Sequence, residues 1–393
     1  MNKPRIFFLT YYPPTPTSGG AMAFHRHFVE RSDVDLFVAT TEARLPQHEP
    51  SYPYLIFDQP AWLERMTRTR LGPWFDSFKD LLLGNFIPKA VLDAAKDFQP
   101  DVIMTIGGSW DWTSQMARRL AAKLRVPLIA SFNDWFDYSI IIHPLLKPIE
   151  ELMFRSLYRA SDLALCTSEG MRDALGDHRN SHVLYPIGSM FNDQHGAKEL
   201  PKISNGSLNV AFAGNMSDWY GPMLESLVNA SENVSAPINY RFYGGNPSWS
   251  EAFDLHARES GMYCGYLPFE RLREEIQNAD LLLLPMGFAK ESAQVEKTSF
   301  KTKFLDYLTY GRPILVWGPD YCSAVQVARE FDSAEICVDS NPYVAVQKIL
   351  ELKDSTDRRR SLVHQANRMY QDRFHPEKIH AALLEKIRQL IPA

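Results

Sequence analysis

Short apolar runs alternate along the chain with longer segments in which apolar residues recur every three or four positions. The runs predict strands and the longer segments predict helices. In the first half, strands are predicted at Arg5–Tyr11, Val34–Thr40, Asp101–Ile106, Pro127–Ser131, Leu163–Thr167 and His182–Tyr185. Helices between them include Ala21–Glu30, Thr113–Lys123 and Glu150–Ala160. This alternation is typical of βαβ units and a parallel sheet.

The pattern begins again after a polar segment, Lys202–Gly206, which is interpreted as a linker. Strands are then predicted at Leu208–Ala213, Ile238–Tyr243, Met262–Gly265, Leu281–Pro285, Pro313–Trp317 and Ala334–Val338. Helices include Met223–Asn229, Phe269–Asn278, Thr302–Tyr310, Ser355–Gln371 and Pro376–Ile391. The fold class predicted is α/β, with two Rossmann-like doubly wound domains that face each other across a cleft. The domains are predicted at 1–200, joined by the C-terminal helix 376–393, and at 207–370.

Composition narrows the class of protein. The 393 residues are too many for one ordinary core, and the net charge of -5 gives no overall basic surface for nucleic acid. The four cysteines are scattered, which favours reduced thiols and a cytoplasmic location. The apolar run before Pro13 is interpreted as a strand rather than a signal peptide, and no run reaches the roughly 18 residues that span a bilayer.

Glycines that follow strands indicate where ligands are expected to bind. In open α/β sheets, ligands lie beyond the carboxyl ends of the strands. Glycines stand directly or shortly after four predicted strands, at Gly19-Gly20, Gly107-Gly108, Gly214-Asn215 and Gly244-Gly245. None forms a GxGxxG or GxxxxGK[ST] motif, so no dinucleotide cofactor is expected.

The stretch FKTKFLDYLTYGRPILV, Phe300–Val316, places Lys303 and Asp306 three residues apart on an otherwise apolar helix. Lys303 near the start of a helix could neutralise a phosphate, and Asp306 could accept hydrogen bonds from the vicinal hydroxyls of a ribose. Together they would bind a nucleoside diphosphate. The alternative is an i,i+3 ion pair on a solvated face, and spacing alone favours neither.

Longer segments favour the nucleotide interpretation. The run GYLPFERLREEIQNADLLLLPM (Gly265–Met286) and the run KFLDYLTYGRPILVWG (Lys303–Gly318) resemble the C-terminal domain of GT-B glycosyltransferases, most closely family 4. YRASDLALCTSEGMRDAL (Tyr158–Leu175) and AFAGNMSDWYGPMLESL (Ala211–Leu227) resemble other segments of that family in the same order. The resemblance covers nearly the whole chain. It implies transfer of a sugar from a nucleoside diphosphate sugar, with retention and without a metal or other cofactor.

The resemblance also implies roles for single residues. Asp306 matches the second acid of the E-x7-E motif, which binds ribose, and Lys303 matches a diphosphate-binding lysine of one subgroup. Further donor-binding residues would be Gly19, Gly20, Gly214, Asn215, Ser217, Gly244 and Thr298. Acceptor-binding residues would be His25, Asn133 and Asp134. Asp134 and Lys303 are the candidate catalytic residues, although Asp134 could instead be a turn residue that binds its own backbone.

Several residues depart from the family pattern. Thr298 stands where the first acid of E-x7-E belongs, and neither Glu296 nor Glu291 is in register. Met216–Gly221 lacks the usual basic pair, so Lys303 would carry more of the phosphate charge. The sequence Asp33-Val34-Asp35 formally matches a metal-binding DxD, but capping or surface charge is the preferred interpretation.

Other polar residues have structural interpretations. At most one of His25 and His27 can face a ligand, because their i,i+2 spacing places them on different helix faces, and the other is expected to be solvated. Glu169 is interpreted as a carboxylate in the first turn of a helix.

The segment Pro60–Pro88 is basic, aromatic and amphipathic. It could contact an anionic membrane at its inner face or bind a lipid-linked acceptor, or it could be an ordinary pair of packed helices. The predicted function is sugar transfer to a glycan or lipid-linked acceptor in bacterial-type surface polysaccharide synthesis. The alternatives are a nucleotide-sugar 2-epimerase with the same fold and a non-catalytic glycan-binding module.

Overall fold

The computed structural model describes residues 3–16, 19–41, 50–108, 112–138, 142–188, 200, 206–232, 234 and 237–391. The chain divides into two compact units. The first comprises Met1–Ile187, Thr298–Phe300 and Glu377–Ala393, and the second comprises Gly188–Lys297 and Lys301–Pro376. None of the helices among the described residues is long and apolar enough to cross a membrane.

A seven-stranded parallel sheet forms the centre of the first unit. Its strands are β1 (Arg5–Leu9), β2 (Asp35–Thr40), β3 (Tyr54–Ile56), β4 (Val102–Gly107), β5 (Leu128–Phe132), β6 (Leu163–Cys166) and β7 (Ser181–Val183). They lie in the order β3-β2-β1-β4-β5-β6-β7, and all pairs are parallel. The order reverses beside β1, which places the loops after β1 and β4 at the switch point where ligands bind in such sheets.

Helices connect the strands of the first unit. They are α1 (Gly19–Phe28), α2 (Ala61–Thr67), α3 (Gly72–Leu83), α4 (Lys89–Phe98), α5 (Trp112–Leu124), α6 (Lys147–Ala160) and α7 (Glu169–Leu175). Beneath the helices, β1, β4 and β5 contribute side chains that are almost fully buried, as expected for parallel strands covered on both faces.

The second unit repeats this design with six parallel strands in the order β10-β9-β8-β11-β12-β13. The strands are β8 (Leu208–Ala213), β9 (Ile238–Tyr243), β10 (Tyr263–Gly265), β11 (Leu281–Pro285), β12 (Ile314–Trp317) and β13 (Glu335–Cys337). The helices are α8 (Tyr220–Ser231), α9 (Glu251–Glu259), α10 (Phe269–Gln277), α11 (Ala293–Thr298), α12 (Thr302–Leu308), α13 (Ser323–Phe331), α14 (Pro342–Asp354) and α15 (Thr356–Met369). Helix α16 (Pro376–Leu390) is the last helix of the described chain.

The two parallel sheets with intervening helices confirm the predicted α/β fold class. Strand β3 was missed because its three residues give too short an apolar run to predict. Gly19 and Gly20 were expected in a loop, but they are the first residues of α1. The predicted linker Lys202–Gly206 lies outside the described residues except for Gly206.

Helix α16 packs on α1 through a contact between two buried histidines. His27 and His380 are 1 % and 3 % exposed, and their Nδ1 atoms lie 3.2 Å apart. His380 Nε2 lies 3.1 Å from Asp33 Oδ2. His27 Nε2 has no hydrogen-bond partner among the described residues. The expectation that His27 would be solvated is therefore wrong, because α16 covers it.

This geometry selects one protonation state. If His27 donates from Nδ1 to His380, and His380 donates from Nε2 to Asp33, every N–H of the two rings has a partner. A proton added to His27 would bury an unpartnered N–H on Nε2. Burial, with Coulombic repulsion from His380 and Arg31, lowers the pKa of His27 well below its ordinary value. Burial also lowers the pKa of His380, although Asp33 and Glu377 oppose this and Arg31 adds to it.

We expect the free energy of unfolding to fall as the pH drops below about 6.5, because the unfolded chain then binds protons that the native histidines exclude. The loss can reach about 1.4 kcal/mol per pH unit for each histidine. His27→Phe should reduce the loss between pH 7 and pH 5 by roughly 1 kcal/mol. Urea denaturation at several pH values measures this.

The matched control is His256→Asn on exposed α9, which should keep the parent's pH dependence. An unchanged pH dependence in His27→Phe would show that the buried pair does not control it.

Candidate functional site

Two glycine loops meet at the carboxyl end of the second sheet. Gly214, after β8, donates from its N–H to Tyr243 O at 2.8 Å, and Gly244, after β9, donates to Gly265 O at 2.8 Å. A Cβ on Gly244 would lie 2.0 Å from Gly214 O, and the φ angles of Gly214 and Gly244 are +144° and +134°. Both positions therefore require glycine.

The absence of a side chain at Gly214 makes room for Lys303. A Cβ on Gly214 would lie 2.5 Å from Lys303 Cε and 2.6 Å from Nζ. The ammonium lies 4.0 Å from the ring centroid of Phe212 and 4.3 Å from that of Tyr220. Helix α12, which carries Lys303, is fixed to the end of β8 by the Tyr307 hydroxyl, which accepts the Ala213 N–H at 2.9 Å.

Lys303 makes no ion pair within the part of the chain that the structure describes, so the i,i+3 ion pair with Asp306 does not form. Burial, together with the charge of Lys301, lowers the pKa of Lys303 to about 7, although Glu296 and Asp306 oppose the shift. A lysine held without a counter-ion beside aromatic rings has a charge that an anion could compensate.

Lys301 is a second cation that sequence reasoning missed. Its Nζ lies 3.8 Å from Glu296 Oε2 and 5.4 Å from the ring centroid of Trp219. The fully buried Glu296 also accepts the Gly287 N–H at 3.0 Å, and burial raises its pKa although Lys301 opposes the shift. Glu296 thus holds Lys301 in place. The only sequence signal for Lys301 was its position, two residues before Lys303.

Other predicted donor-binding residues are placed as follows. Asn215 is exposed and donates from Nδ2 to Ser217 Oγ at 2.6 Å, and Ser217 Oγ donates to Asp218 at 3.0 Å. Thr298 is fully buried in the first compact unit, where its carbonyl oxygen accepts a hydrogen bond from Ser168 Oγ at 2.5 Å. Their contact with a donor stays a prediction. Glu291, which is out of register with the motif, is exposed.

The first unit brings together residues after β1 and β5. A Cβ on Gly20 would lie 3.7 Å from Asn133 Nδ2, and Asn133 Oδ1 accepts a hydrogen bond from Ser131 at 2.9 Å. Asp134 Oδ1 accepts a hydrogen bond from Ser299 Oγ at 2.6 Å. Ser299 lies far from Asp134 in sequence, and no sequence signal connects the two.

The remaining polar candidates make local contacts. His25 Nδ1 lies 3.2 Å from Glu30 Oε1. Glu169 is the first residue of α7, as predicted, and also accepts a hydrogen bond from the Tyr185 hydroxyl.

The fold has counterparts among known proteins. Sucrose-phosphate synthase from Thermosynechococcus elongatus is 13% identical, with a TM-score of 0.63 and coverage of 99% of both chains. HepE from Anabaena, solved in complex with UDP, is 14% identical, with a TM-score of 0.63 and coverage of 98% of this chain and 100% of that one. The lipopolysaccharide outer core galactosyltransferase WaaB is 13% identical, with a TM-score of 0.62 and coverage of 97% and 99%. Likeness at this identity shows the GT-B fold.

The family model of Glycosyltransferase Family 4 matches residues 21–186. No curated protein matches the sequence significantly. The predicted resemblance is confirmed to this extent: residues 21–186 match the model of a glycosyltransferase family 4 domain, and the chain has the fold of GT-B glycosyltransferases.

We expect Gly214→Ala to weaken binding of a nucleoside diphosphate about tenfold or more, because the added methyl group displaces the lysine that lies against it. Calorimetric titration measures the affinity. If the glycine acts only through this lysine, Gly214→Ala should weaken binding no further in a Lys303→Ala background. Additive losses in the double variant would contradict that mechanism, and thermal melting identifies any loss caused by unfolding.

Proposed function

We propose that the protein transfers a hexose from a nucleoside diphosphate sugar to a hydroxyl group of a glycan or lipid-linked acceptor. The observation that carries this proposal is the position of Lys303, held against Gly214 without an ion pair. HepE is described with UDP and UDP-glucose, which supports a nucleotide sugar as the donor. Asp306, on the same helix, would bind the ribose.

The proposed chemistry needs a stabilised leaving group. The bond between the sugar C1 and the diphosphate oxygen breaks, its electron pair stays on the diphosphate, and C1 bonds to the acceptor oxygen on the same face. Lys303 would neutralise the developing charge, with Lys301 as a second cation, and no metal is required. Asp134, oriented by Ser299, would take the proton from the acceptor hydroxyl.

A lipid-linked acceptor and a role in surface polysaccharide synthesis are part of the proposal. WaaB, whose name describes it as a lipopolysaccharide outer core galactosyltransferase, has the same fold. Residues 60–88 form α2 and α3 with exposed aromatic side chains, which supports peripheral contact at the inner face of a membrane.

The test is calorimetric titration with nucleoside diphosphates, UDP first, in the absence of metal. We expect one nucleotide to bind and Lys303→Ala to weaken binding at least about tenfold, since a charge-assisted contact with phosphate is lost. Asp306→Ala should weaken it as well. The exposed Lys297→Ala makes the same charge change nearby and should bind like the parent.

Absence of binding by any nucleoside diphosphate would refute the donor site. Conversion of a nucleotide sugar in the absence of acceptor would instead favour the 2-epimerase alternative.

Binding should also depend on pH through Lys303. Because its pKa is about 7 in the free protein, the ammonium form declines above that pH, and a diphosphate binds the ammonium form. Affinity should therefore fall up to about tenfold per unit between pH 7 and pH 9. Lys303→Arg keeps its charge and should flatten the profile. Equal profiles for parent and variant would show that Lys303 does not titrate with binding.

A further inference from the structure

Helix α3 and the residue before it carry an apolar stripe that is largely exposed. Leu71, Trp74, Phe78 and Leu81 are 54%, 41%, 47% and 36% exposed. Their spacing of three or four residues places them along one face of the helix. The sequence left open whether this segment packs as an ordinary helix pair. Helices α2 and α3 do pack on each other, and the stripe remains largely exposed.

Helix α6 carries a second stripe of the same kind. Leu145, just before the helix, and Ile149 and Leu152 within it are 72%, 41% and 63% exposed, again at spacings of four and three residues. Single exposed leucines are common, but seven large apolar residues in two stripes are not.

The two helices are neighbours within the first unit. The Trp74 ring stacks on His143, just before α6, with centroids 3.9 Å apart. Glu150 of α6 and Lys79 of α3 are 5% and 2% exposed, and their charges interact. This attraction links the two helices. We call the surface formed by both stripes the α3–α6 face.

Positive charge borders this face. Arg65 and Arg70, at the end of α2 and before α3, are exposed, and within the described residues neither pairs with a carboxylate. Lys147, at the start of α6, is 55% exposed and pairs with Asp137. A second copy of this chain fits poorly, because a two-fold contact would bring the arginines of both copies together. An anionic lipid surface satisfies both the apolar stripes and the arginines.

We propose that the α3–α6 face docks on an anionic membrane surface, with α6 contributing as much apolar contact as α3. This inference rests on the peripheral contact proposed for residues 60–88 and extends it to a helix outside that segment. The membrane would bind the first unit, which also carries Asn133 and Asp134, the proposed acceptor residues.

The test is flotation of the whole protein with vesicles of phosphatidylcholine, with and without phosphatidylglycerol, at low and high salt. We expect binding only to vesicles that contain phosphatidylglycerol, and weaker binding at high salt. Leu152→Glu should reduce the partition coefficient about tenfold, because it removes an apolar contact and adds a charge that the lipid repels. Leu255→Glu is the matched control, since Leu255 is also 63% exposed, on α9, and should bind like the parent.

The following results would each contradict part of the inference. If Trp74→Glu abolishes flotation and Leu152→Glu does not, α6 takes no part and the contact is confined to residues 60–88. If the parent does not float, both the inference and the peripheral contact are wrong, whereas UDP titration of the same preparation still tests the donor site. Concentration-dependent dimerisation that Leu152→Glu abolishes would assign the face to a second copy of this chain.

Discussion

The second unit depends on the contact between a lysine side chain and a glycine that has none. Lys303 can lie against the end of β8 only because Gly214 lacks a Cβ, and Gly214 can adopt its positive φ only because it is glycine. Gly244 packs its backbone against Gly214 for the same reason. The Phe212 and Tyr220 rings stabilise the ammonium partly, but they supply no counter-charge. The site therefore keeps an incompletely compensated positive charge, which an anion would compensate.

The neighbouring lysine shows the opposite arrangement. Lys301 lies near the buried carboxylate of Glu296, so its charge is partly neutralised within the protein. Two cations placed close together repel each other, and pairing only one of them reduces that repulsion while leaving the other available. The loop Met216–Gly221 contains no lysine or arginine. The positive charge beside these glycine loops thus comes from α12 and the residue before it.

Sequence periodicity predicted the sheets well because parallel strands buried on both faces give continuous apolar runs, of which Leu281–Pro285 is an example. The glycine and lysine of the proposed donor site were each predicted from their own local pattern. Their contact was not predicted, because β8 and α12 are brought together by the sheet topology and are far apart in sequence. The solvent exposure of His27 was predicted wrongly for the same reason, because its environment is set by His380, which is close in space but far away in sequence. The link between Ser299 and Asp134 likewise has no local signature.

The charges of the two proposed binding surfaces differ in their exposure to water. Lys303 lies among aromatic rings and backbone, where dissolved ions screen weakly, whereas Arg65 and Arg70 are exposed and are screened within about one Debye length. Salt should therefore dissociate the first unit from lipid at concentrations that leave much of the nucleotide affinity intact. A rise in pH should instead weaken nucleotide binding before lipid binding, because it deprotonates Lys303 and leaves the arginines charged. Salt and pH thus separate donor binding from membrane binding in one preparation, without any substitution.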